Sequence, residues 1–123
     1  MIENIITSTP FNGVLDQSMA PINDRFSRTF NYLRLSLNEQ CNLRCIYCMP
    51  EEGIDFRSKD KLLTTEEIFR LIDLTSQMGV SKIRFTGGEP LLRKDLLKLV
   101  QFAKKAPGIE SVHLTTNGLL LSR

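Results

Sequence analysis

The sequence alternates short strand patterns with longer helix patterns, and this order limits the possible fold more than any other feature. Residues 82–86 and 111–115 each alternate apolar and polar side chains, as half-buried strands do. Between them, residues 92–103 repeat apolar side chains at helical spacing. The two strands begin roughly 30 residues apart, which is the length of a βαβ unit with parallel strands. The sequence therefore predicts an α/β fold built on a parallel sheet.

A further strand and helix precede this unit. Residues 32–37 alternate strictly, which predicts a strand, and a long loop follows it. Residues 64–67 form a capping-box pattern, residues 68–75 continue it at helical spacing, and Gly79 supplies a stop. We therefore predict three parallel strands and two helices, the N-terminal part of a partial (β/α) barrel of the TIM type. Three strands cannot close a barrel, so we expect this chain to be the first part of a longer protein.

Each predicted strand has one aliphatic face and one polar face. The polar faces carry Arg34, Arg84 and His113, together with several hydroxyl side chains. A parallel sheet normally has apolar residues on both faces because helices cover both. We interpret the polar face as the inside of a partial barrel that holds a charged ligand. The alternative is a two-layer sheet with one face open to water.

Composition excludes several classes of protein. The 123 residues are enough for one domain, and the net charge of +2 is too small to indicate nucleic acid as a partner. No apolar run approaches the ~18 residues of a membrane span. The first residues do not resemble a secretory signal, and clustered cysteines fit a reducing compartment, so we expect a cytoplasmic protein with no membrane partner. We divide the chain into an N-terminal arm, residues 1–24, and an incomplete core domain, residues 25–123.

The chain's three cysteines, Cys41, Cys45 and Cys48, lie within eight residues, in the loop that follows the first predicted strand. A closed structural zinc site has four protein ligands. Three thiolates on a [4Fe-4S] cluster would instead leave one iron open to an outside molecule. We predict that these cysteines bind a metal centre. The alternatives are a zinc site completed by His113 or a carboxylate, and buried free thiols.

The sequence Gly-Gly-Glu-Pro at residues 87–90 follows the second predicted strand. Paired glycines allow the backbone to approach a ligand closely, and the Glu89 carboxylate would attract an ammonium group. The alternative is an ordinary strand-to-helix turn with Pro90 near the helix start. Active sites of α/β proteins form at the carboxyl ends of parallel strands. We therefore expect this turn and the cysteine loop to share one site.

These motifs together resemble the radical S-adenosylmethionine (SAM) enzymes and, within that family, the GTP 3′,8-cyclase branch. The resemblance runs from about residue 24 to the end, and its most specific part is the continuation Cys-Met-Pro-Glu-Glu-Gly at residues 48–53. The other segments that carry it are residues 31–37, 41–47, 82–93 and 114–118.

The resemblance assigns roles to individual residues. It implies that the three cysteines bind a [4Fe-4S] cluster whose open iron chelates SAM, with Tyr47 at the adenine and Gly88 at the methionyl amine. It also implies that Arg34, Arg84 and Thr115 bind GTP. Other interpretations of these residues are that Tyr47 is a packing residue, that the arginines pair with carboxylates such as Glu89, and that Thr115 only completes its strand end.

The implied reaction converts GTP to (8S)-3′,8-cyclo-7,8-dihydroguanosine 5′-triphosphate, the first step of molybdenum cofactor biosynthesis. In it, a 5′-deoxyadenosyl radical from SAM abstracts hydrogen from C3′ of GTP. A cyclic pyranopterin monophosphate synthase would act next, and a homodimeric full-length protein is a further expectation. The family's second cysteine trio and glycine-paired tail are not among these 123 residues, so we expect this chain alone to bind SAM weakly and not to cyclise GTP. The competing hypotheses are another radical SAM enzyme that matures a cofactor or peptide, and a non-catalytic metal-binding fragment.

Overall fold

A computed structural model describes residues 20–53, 55–56 and 59–122, and most of the predicted arm, residues 1–24, lies outside these ranges. The described chain contains one three-stranded parallel sheet in the order β1-β2-β3, with two α-helices. The elements are β1 (Tyr32–Ser36), α1 (Thr65–Gln77), β2 (Lys82–Thr86), α2 (Leu96–Lys105) and β3 (Ser111–Leu114), with 3₁₀ turns at Lys59–Lys61 and Pro90–Leu92. This confirms the predicted α/β fold with three parallel strands and two helices.

Helix α1 begins where the capping pattern placed it. The Glu67 backbone N–H donates to the Thr64 hydroxyl at 3.2 Å, and the Thr64 N–H donates to the Glu67 carboxylate at 2.8 Å. These reciprocal bonds satisfy two of the donors that every helix start leaves unpaired. The helix ends before Gly79, whose φ of +92° suits a residue without a side chain.

Helix α2 begins later than the apolar pattern suggested, which corrects the prediction that Leu92 belongs to its apolar stripe. Leu92 lies in the 3₁₀ turn and is 39% exposed. Arg93 then adopts extended backbone, with φ −84° and ψ 119°, and interrupts the helical run. Its guanidinium donates to Asp95 at 2.7 Å and to the carbonyls of Leu37 and Leu63 at 2.9 Å each, and these bonds hold the interruption in place.

The hydrophobic core lies between the aliphatic face of the sheet and the two helices, as the alternation predicted. Ile83 and Phe85 on the central strand are fully buried, as are Ile72 of α1 and Leu99 of α2. Burying each such side chain contributes on the order of 1.5–3 kcal/mol. The two helices also contact each other directly, since the rings of Phe69 and Phe102 stack with their centroids 4.1 Å apart. The polar face of the sheet is therefore left without a helical layer among the described residues.

A small hairpin leads into β1. The Phe30 N–H donates to the Ile22 carbonyl at 2.8 Å, Asn23 and Thr29 form an antiparallel bridge, and Ile22 packs against the core. The predicted boundary between arm and core, after residue 24, falls within this hairpin.

Neither of the described α-helices is long and apolar enough to cross a membrane.

Candidate functional site

The cysteine loop, residues 41–49, extends from the carboxyl end of β1 and is curled by local bonds. The N–H groups of Cys48 and Met49 both donate to the Cys45 carbonyl, at 2.9 and 3.0 Å, and the Arg44 guanidinium donates to the Cys41 carbonyl at 2.8 Å. Met49 is buried and anchors one end of the loop. The middle of the loop projects into solvent, where Ile46 is 100% exposed.

The three thiols are unpaired, with Cys41 and Cys45 half-buried and Cys48 exposed. Among the described residues, no group of three or more histidine, cysteine or acidic side chains is arranged to hold a metal ion. The alternative is a zinc site completed by His113. In this structure His113 lies on the polar face of the sheet, where its ring nitrogen contacts the Ser111 hydroxyl at 3.1 Å. The donor set nevertheless fits a cluster with three cysteine ligands, because three free, reachable thiols stand in one short loop.

The Gly-Gly-Glu-Pro turn packs against the segment that leads into the cysteine loop. The Gly88 N–H donates to the Asn38 carbonyl at 2.9 Å, and the Glu89 N–H donates to the Gln40 carbonyl at 2.7 Å. A Cβ atom at Gly88 would clash with the Gln40 carbonyl oxygen, and one at Gly87 would lie 2.6 Å from Asn38 Oδ1. The glycines thus allow two stretches of backbone to approach each other. The contact of Gly88 with SAM stays a prediction.

Glu89 faces the protein rather than a ligand. Its side chain is 1% exposed, and its carboxylate accepts from the Thr116 hydroxyl at 2.6 Å and from the N–H groups of Asn117 and Leu91 at 2.9 and 3.0 Å. Burial raises the pKa of this carboxyl, but these donors outweigh it, so the pKa lies below its ordinary value. In this structure the protein's own donors thus occupy the carboxylate, and the expectation that Glu89 attracts an ammonium group of a ligand stays a prediction.

The two arginines of the polar face lie side by side. Arg34 and Arg84 are in register on neighbouring strands, which places their backbones roughly 4.8 Å apart. Arg84 donates to the Tyr32 hydroxyl at 2.6 Å and to the Thr115 hydroxyl at 3.0 Å. Within the described ranges neither guanidinium has a carboxylate partner, so the interpretation that they pair with Glu89 is wrong. Two adjacent cations with no carboxylate partner in the described part of the chain form a site suited to an anionic ligand.

Thr115 and Tyr47 lie where the sequence placed them. The bond to Arg84 confirms that Thr115 shares the arginine face of the sheet. Tyr47 is 93% exposed on the cysteine loop, so it is not a packing residue in this structure. Their contacts with GTP and with SAM adenine are untested and stay predictions.

Sequence reasoning assigned no role to Tyr32, Asn42 or Asn117. Tyr32 orients Arg84, and its place on the polar face two residues before Arg34 was the available signal. Asn117 donates from its side chain to Asn42 Oδ1 at 2.8 Å. No sequence pattern indicates that bond, because the two residues belong to loops after different strands.

A cavity of about 420 Å³ lies beside the Arg93 turn, and none of the predicted site residues lines it. Its walls are formed by residues 37–40, Phe56, residues 62–66 and residues 92–94. The cavity is therefore separate from the arginine pair and the thiols.

Comparison with known proteins assigns the chain to a family, in agreement with the resemblance noted from its cysteine motif. Residues 35–123 match the Radical SAM superfamily. The chain belongs to the radical SAM superfamily. Membership implies SAM and a [4Fe-4S] cluster as cofactors, while the metal site itself is not assembled in the described residues.

Relatives of this radical SAM chain carry two kinds of name. Molybdenum cofactor biosynthesis protein 1 of Dictyostelium discoideum is 54% identical over 109 residues, 89% of this chain and 17% of that protein. The protein of the same name from Bos taurus is 46% identical over 127 residues, 100% of this chain and 20% of that protein. GTP 3′,8-cyclase of Lactiplantibacillus plantarum is 49% identical over 105 residues, 85% of this chain and 32% of that enzyme. The chain thus spans a third or less of the length of these relatives.

Proposed function

We propose that this chain is the cluster-binding part of a GTP 3′,8-cyclase that acts in molybdenum cofactor biosynthesis. The single observation that carries the proposal is the arginine pair, Arg34 and Arg84, in register on the polar face and without a carboxylate partner among the described residues. A triphosphate supplies the anionic oxygens that such a pair lacks. The names of the relatives, which include GTP 3′,8-cyclase, support this choice of ligand.

Cys41, Cys45 and Cys48 would hold a [4Fe-4S] cluster through their thiolates. Tyr47, which projects from the same loop, would contact the adenine of SAM, and Gly88 would offer its backbone to the methionyl amine. When bound, the reduced cluster supplies the electron for cleavage of SAM and so generates the radical that begins the reaction on GTP. The loop's exposed position leaves room for both groups.

Arg34 and Arg84 would bind the triphosphate of GTP, with Thr115 as a further contact. Guanidinium groups can donate paired hydrogen bonds to phosphate oxygens, which fixes orientation as well as position. Tyr32 and Thr115 already direct Arg84, so less conformational freedom would be lost when the substrate binds. The residues of this chain thus position GTP and leave the electron transfer to the cofactors.

The cellular setting follows from the same proposal. Three neighbouring unpaired thiols persist in the reducing cytoplasm, where we place the protein. The product would pass to a cyclic pyranopterin monophosphate synthase, and we infer a homodimer for the full-length protein.

The first test is anaerobic reconstitution of the chain with iron and sulfide, followed by iron analysis and electron paramagnetic resonance (EPR) spectroscopy with and without SAM. We expect a [4Fe-4S]⁺ signal that changes when SAM is added. Cys45→Ser should lose the cluster, while Ser122→Ala, a single-atom change at an exposed residue far from the loop in sequence, should keep it. Stoichiometric zinc in place of iron and sulfide would contradict the proposal.

The second test concerns the substrate. A chimera in which this chain replaces the matching part of the Lactiplantibacillus plantarum enzyme supplies the rest of the protein, and its GTP binding and cyclisation can be measured. Arg84→Gln should weaken GTP binding by about tenfold or more, because a charge-assisted hydrogen bond contributes on the order of 1.5–3 kcal/mol. Lys98→Gln removes the same charge from the exposed side of α2 and should change little. A cluster that responds to SAM, in a chimera to which GTP does not bind, would indicate another radical SAM enzyme.

A further inference from the structure

The loops that leave the three parallel strands are joined by one connected set of hydrogen bonds. Its centre is Glu89, in the loop after β2, whose carboxylate accepts from Thr116 and Asn117 in the loop after β3. Asn117 in turn donates from its side chain to Asn42, in the loop after β1. We call these four residues, Glu89, Thr116, Asn117 and Asn42, the Glu89 network.

The buried end of the network is held by several hydrogen bonds. Each Glu89 oxygen is occupied by a donor from the protein, and the side chain is 1% exposed. The Thr116 hydroxyl also accepts from the Gly118 N–H at 3.1 Å, and the Asn117 side-chain oxygen accepts from the Leu119 N–H at 3.1 Å. The loop after β3 is therefore folded tightly around one ionised carboxylate.

The exposed end of the network reaches the cysteine loop. Asn42 directly follows Cys41, and its side-chain oxygen accepts from Asn117 at 2.8 Å. The bonds to the Cys45 and Cys41 carbonyls, by contrast, connect residues within the loop itself. The Asn42–Asn117 side-chain hydrogen bond thus connects the cysteine loop to the loop after β3.

We infer that Glu89 is a positioning residue that acts through Asn117 and Asn42 to hold the cysteine loop in register with the Gly-Gly-Glu-Pro turn. This inference rests on the proposed function, because it concerns how the cluster loop and the SAM-binding turn are held relative to each other. A ligand bound by two loops loses affinity when the spacing between the loops is no longer fixed. Glu89 therefore affects SAM binding without touching SAM.

Hydrogen exchange in the metal-free chain provides a test that needs neither cofactor. Glu89→Gln keeps the size of the side chain but turns an amide N–H₂ toward donors, so the Asn117 N–H loses its acceptor. We expect faster amide exchange at Asn117 and also at Met49 in the cysteine loop. Glu110→Gln makes the same chemical change at an exposed position and should leave both rates unchanged. Faster exchange confined to residues 116–118 would overturn the inference.

Asn42 provides a second pair of variants on the exposed surface, where the fold itself is not at risk. Asn42→Ala removes the acceptor of the Asn117 side chain, whereas Asn42→Asp retains an acceptor oxygen. We expect the SAM concentration at the midpoint of the EPR change to rise about three- to tenfold for Asn42→Ala, the range of one net hydrogen bond, at unchanged iron content. Asn42→Asp should give the same midpoint SAM concentration as the unmodified protein. Equal midpoints for Asn42→Ala and the unmodified protein would overturn the inference.

The SAM titration is carried out in the chimera described above, so that failure of the inference and failure of the proposed function can be told apart. If the unmodified chimera binds no SAM-responsive cluster, the proposed function fails, and the exchange experiment still decides whether the network couples the loops. If the unmodified chimera responds to SAM and the Asn42 pair does not differ, only the inference fails.

Discussion

Two polar regions at the carboxyl edge of the sheet are held in different ways. Around Arg93, the guanidinium bonds to Asp95 and to the carbonyls of Leu37 and Leu63, and the Thr65 hydroxyl also bonds to Asp95. The cysteine loop is held mostly by bonds within itself and exposes its free thiols. The first region is complete without a ligand. The second carries three free thiols in one short loop, the donor set that would hold a cluster with three cysteine ligands.

The Arg93 region joins the starts of both helices to the sheet. The Arg93 and Asp95 side chains are only 13% and 21% exposed, so water screens their attraction less than that of a surface pair. This region fixes the helical layer on the aliphatic face of the sheet, whereas the arginine pair lies on the other face. Substitutions in the two regions should therefore have separable effects.

The largest effect on stability is expected in the core. Leu99→Ala removes a side chain with no exposed surface and should lower the free energy of unfolding by about 2–5 kcal/mol. Leu97→Ala, a neighbouring residue that is 68% exposed, should change it by less than about 0.5 kcal/mol. Urea denaturation of the metal-free chain measures both. Equal losses for the two variants would contradict the placement of the core.

The next effect is expected at the contact between the Gly-Gly-Glu-Pro turn and residues 38–40. Gly88→Ala forces a Cβ against the Gln40 carbonyl and should cost about 1–3 kcal/mol in the free energy of unfolding. Gly88 does not have a positive φ, so this cost would come from the contact with Gln40 and not from backbone conformation. If Gly88→Ala is as stable as the unmodified chain, the two backbones are not in contact.

A smaller effect is expected from acidification. The Arg93 guanidinium beside Asp95 holds the pKa of that carboxyl below its ordinary value of 3.8, although burial acts in the opposite direction. A pKa that is lower in the folded state gives stability that is fully present above the unfolded value and is lost as pH falls through the folded value. Unfolding free energy should therefore decrease from about pH 5 downward.

Asp95→Asn separates this contribution from that of the other acidic groups. The variant should be less stable at pH 7 and should lose less stability between pH 6 and pH 3, as measured by thermal unfolding at each pH. An identical pH dependence in both proteins would show that the Arg93–Asp95 pair does not contribute. Glu89, whose pKa also lies below its ordinary value, accounts for part of the remaining acid sensitivity.

The smallest effect is expected in the cysteine loop. Ile46→Ala alters a fully exposed side chain and should change the free energy of unfolding by less than about 0.5 kcal/mol. Its iron content after reconstitution should also remain the same, since the three thiols are untouched. A clear loss of stability in the metal-free chain would mean that the loop packs against the protein more closely than the structure shows.

The local signals in the sequence proved reliable where neighbouring residues decide the outcome. The period-2 pattern of residues 82–86 matched strand β2 at both ends, and the capping box located the start of α1. The pattern from Leu92 onward was less reliable, because apolar spacing alone does not reveal that Arg93 bonds to two distant carbonyls. Helix α2 therefore begins at Leu96, although the apolar spacing would also allow a helix that begins at Leu92.

The sequence by itself determined the parallel α/β arrangement, the side of the sheet that the arginines occupy and the family to which the cysteine spacing belongs. These follow from short-range periodicity and from the fixed chemistry of thiols. Only the tertiary structure decided that Glu89 is buried among donors of the loop after β3, and that Asn117 reaches Asn42. Such contacts join residues that are far apart in the chain, and packing between loops selects them.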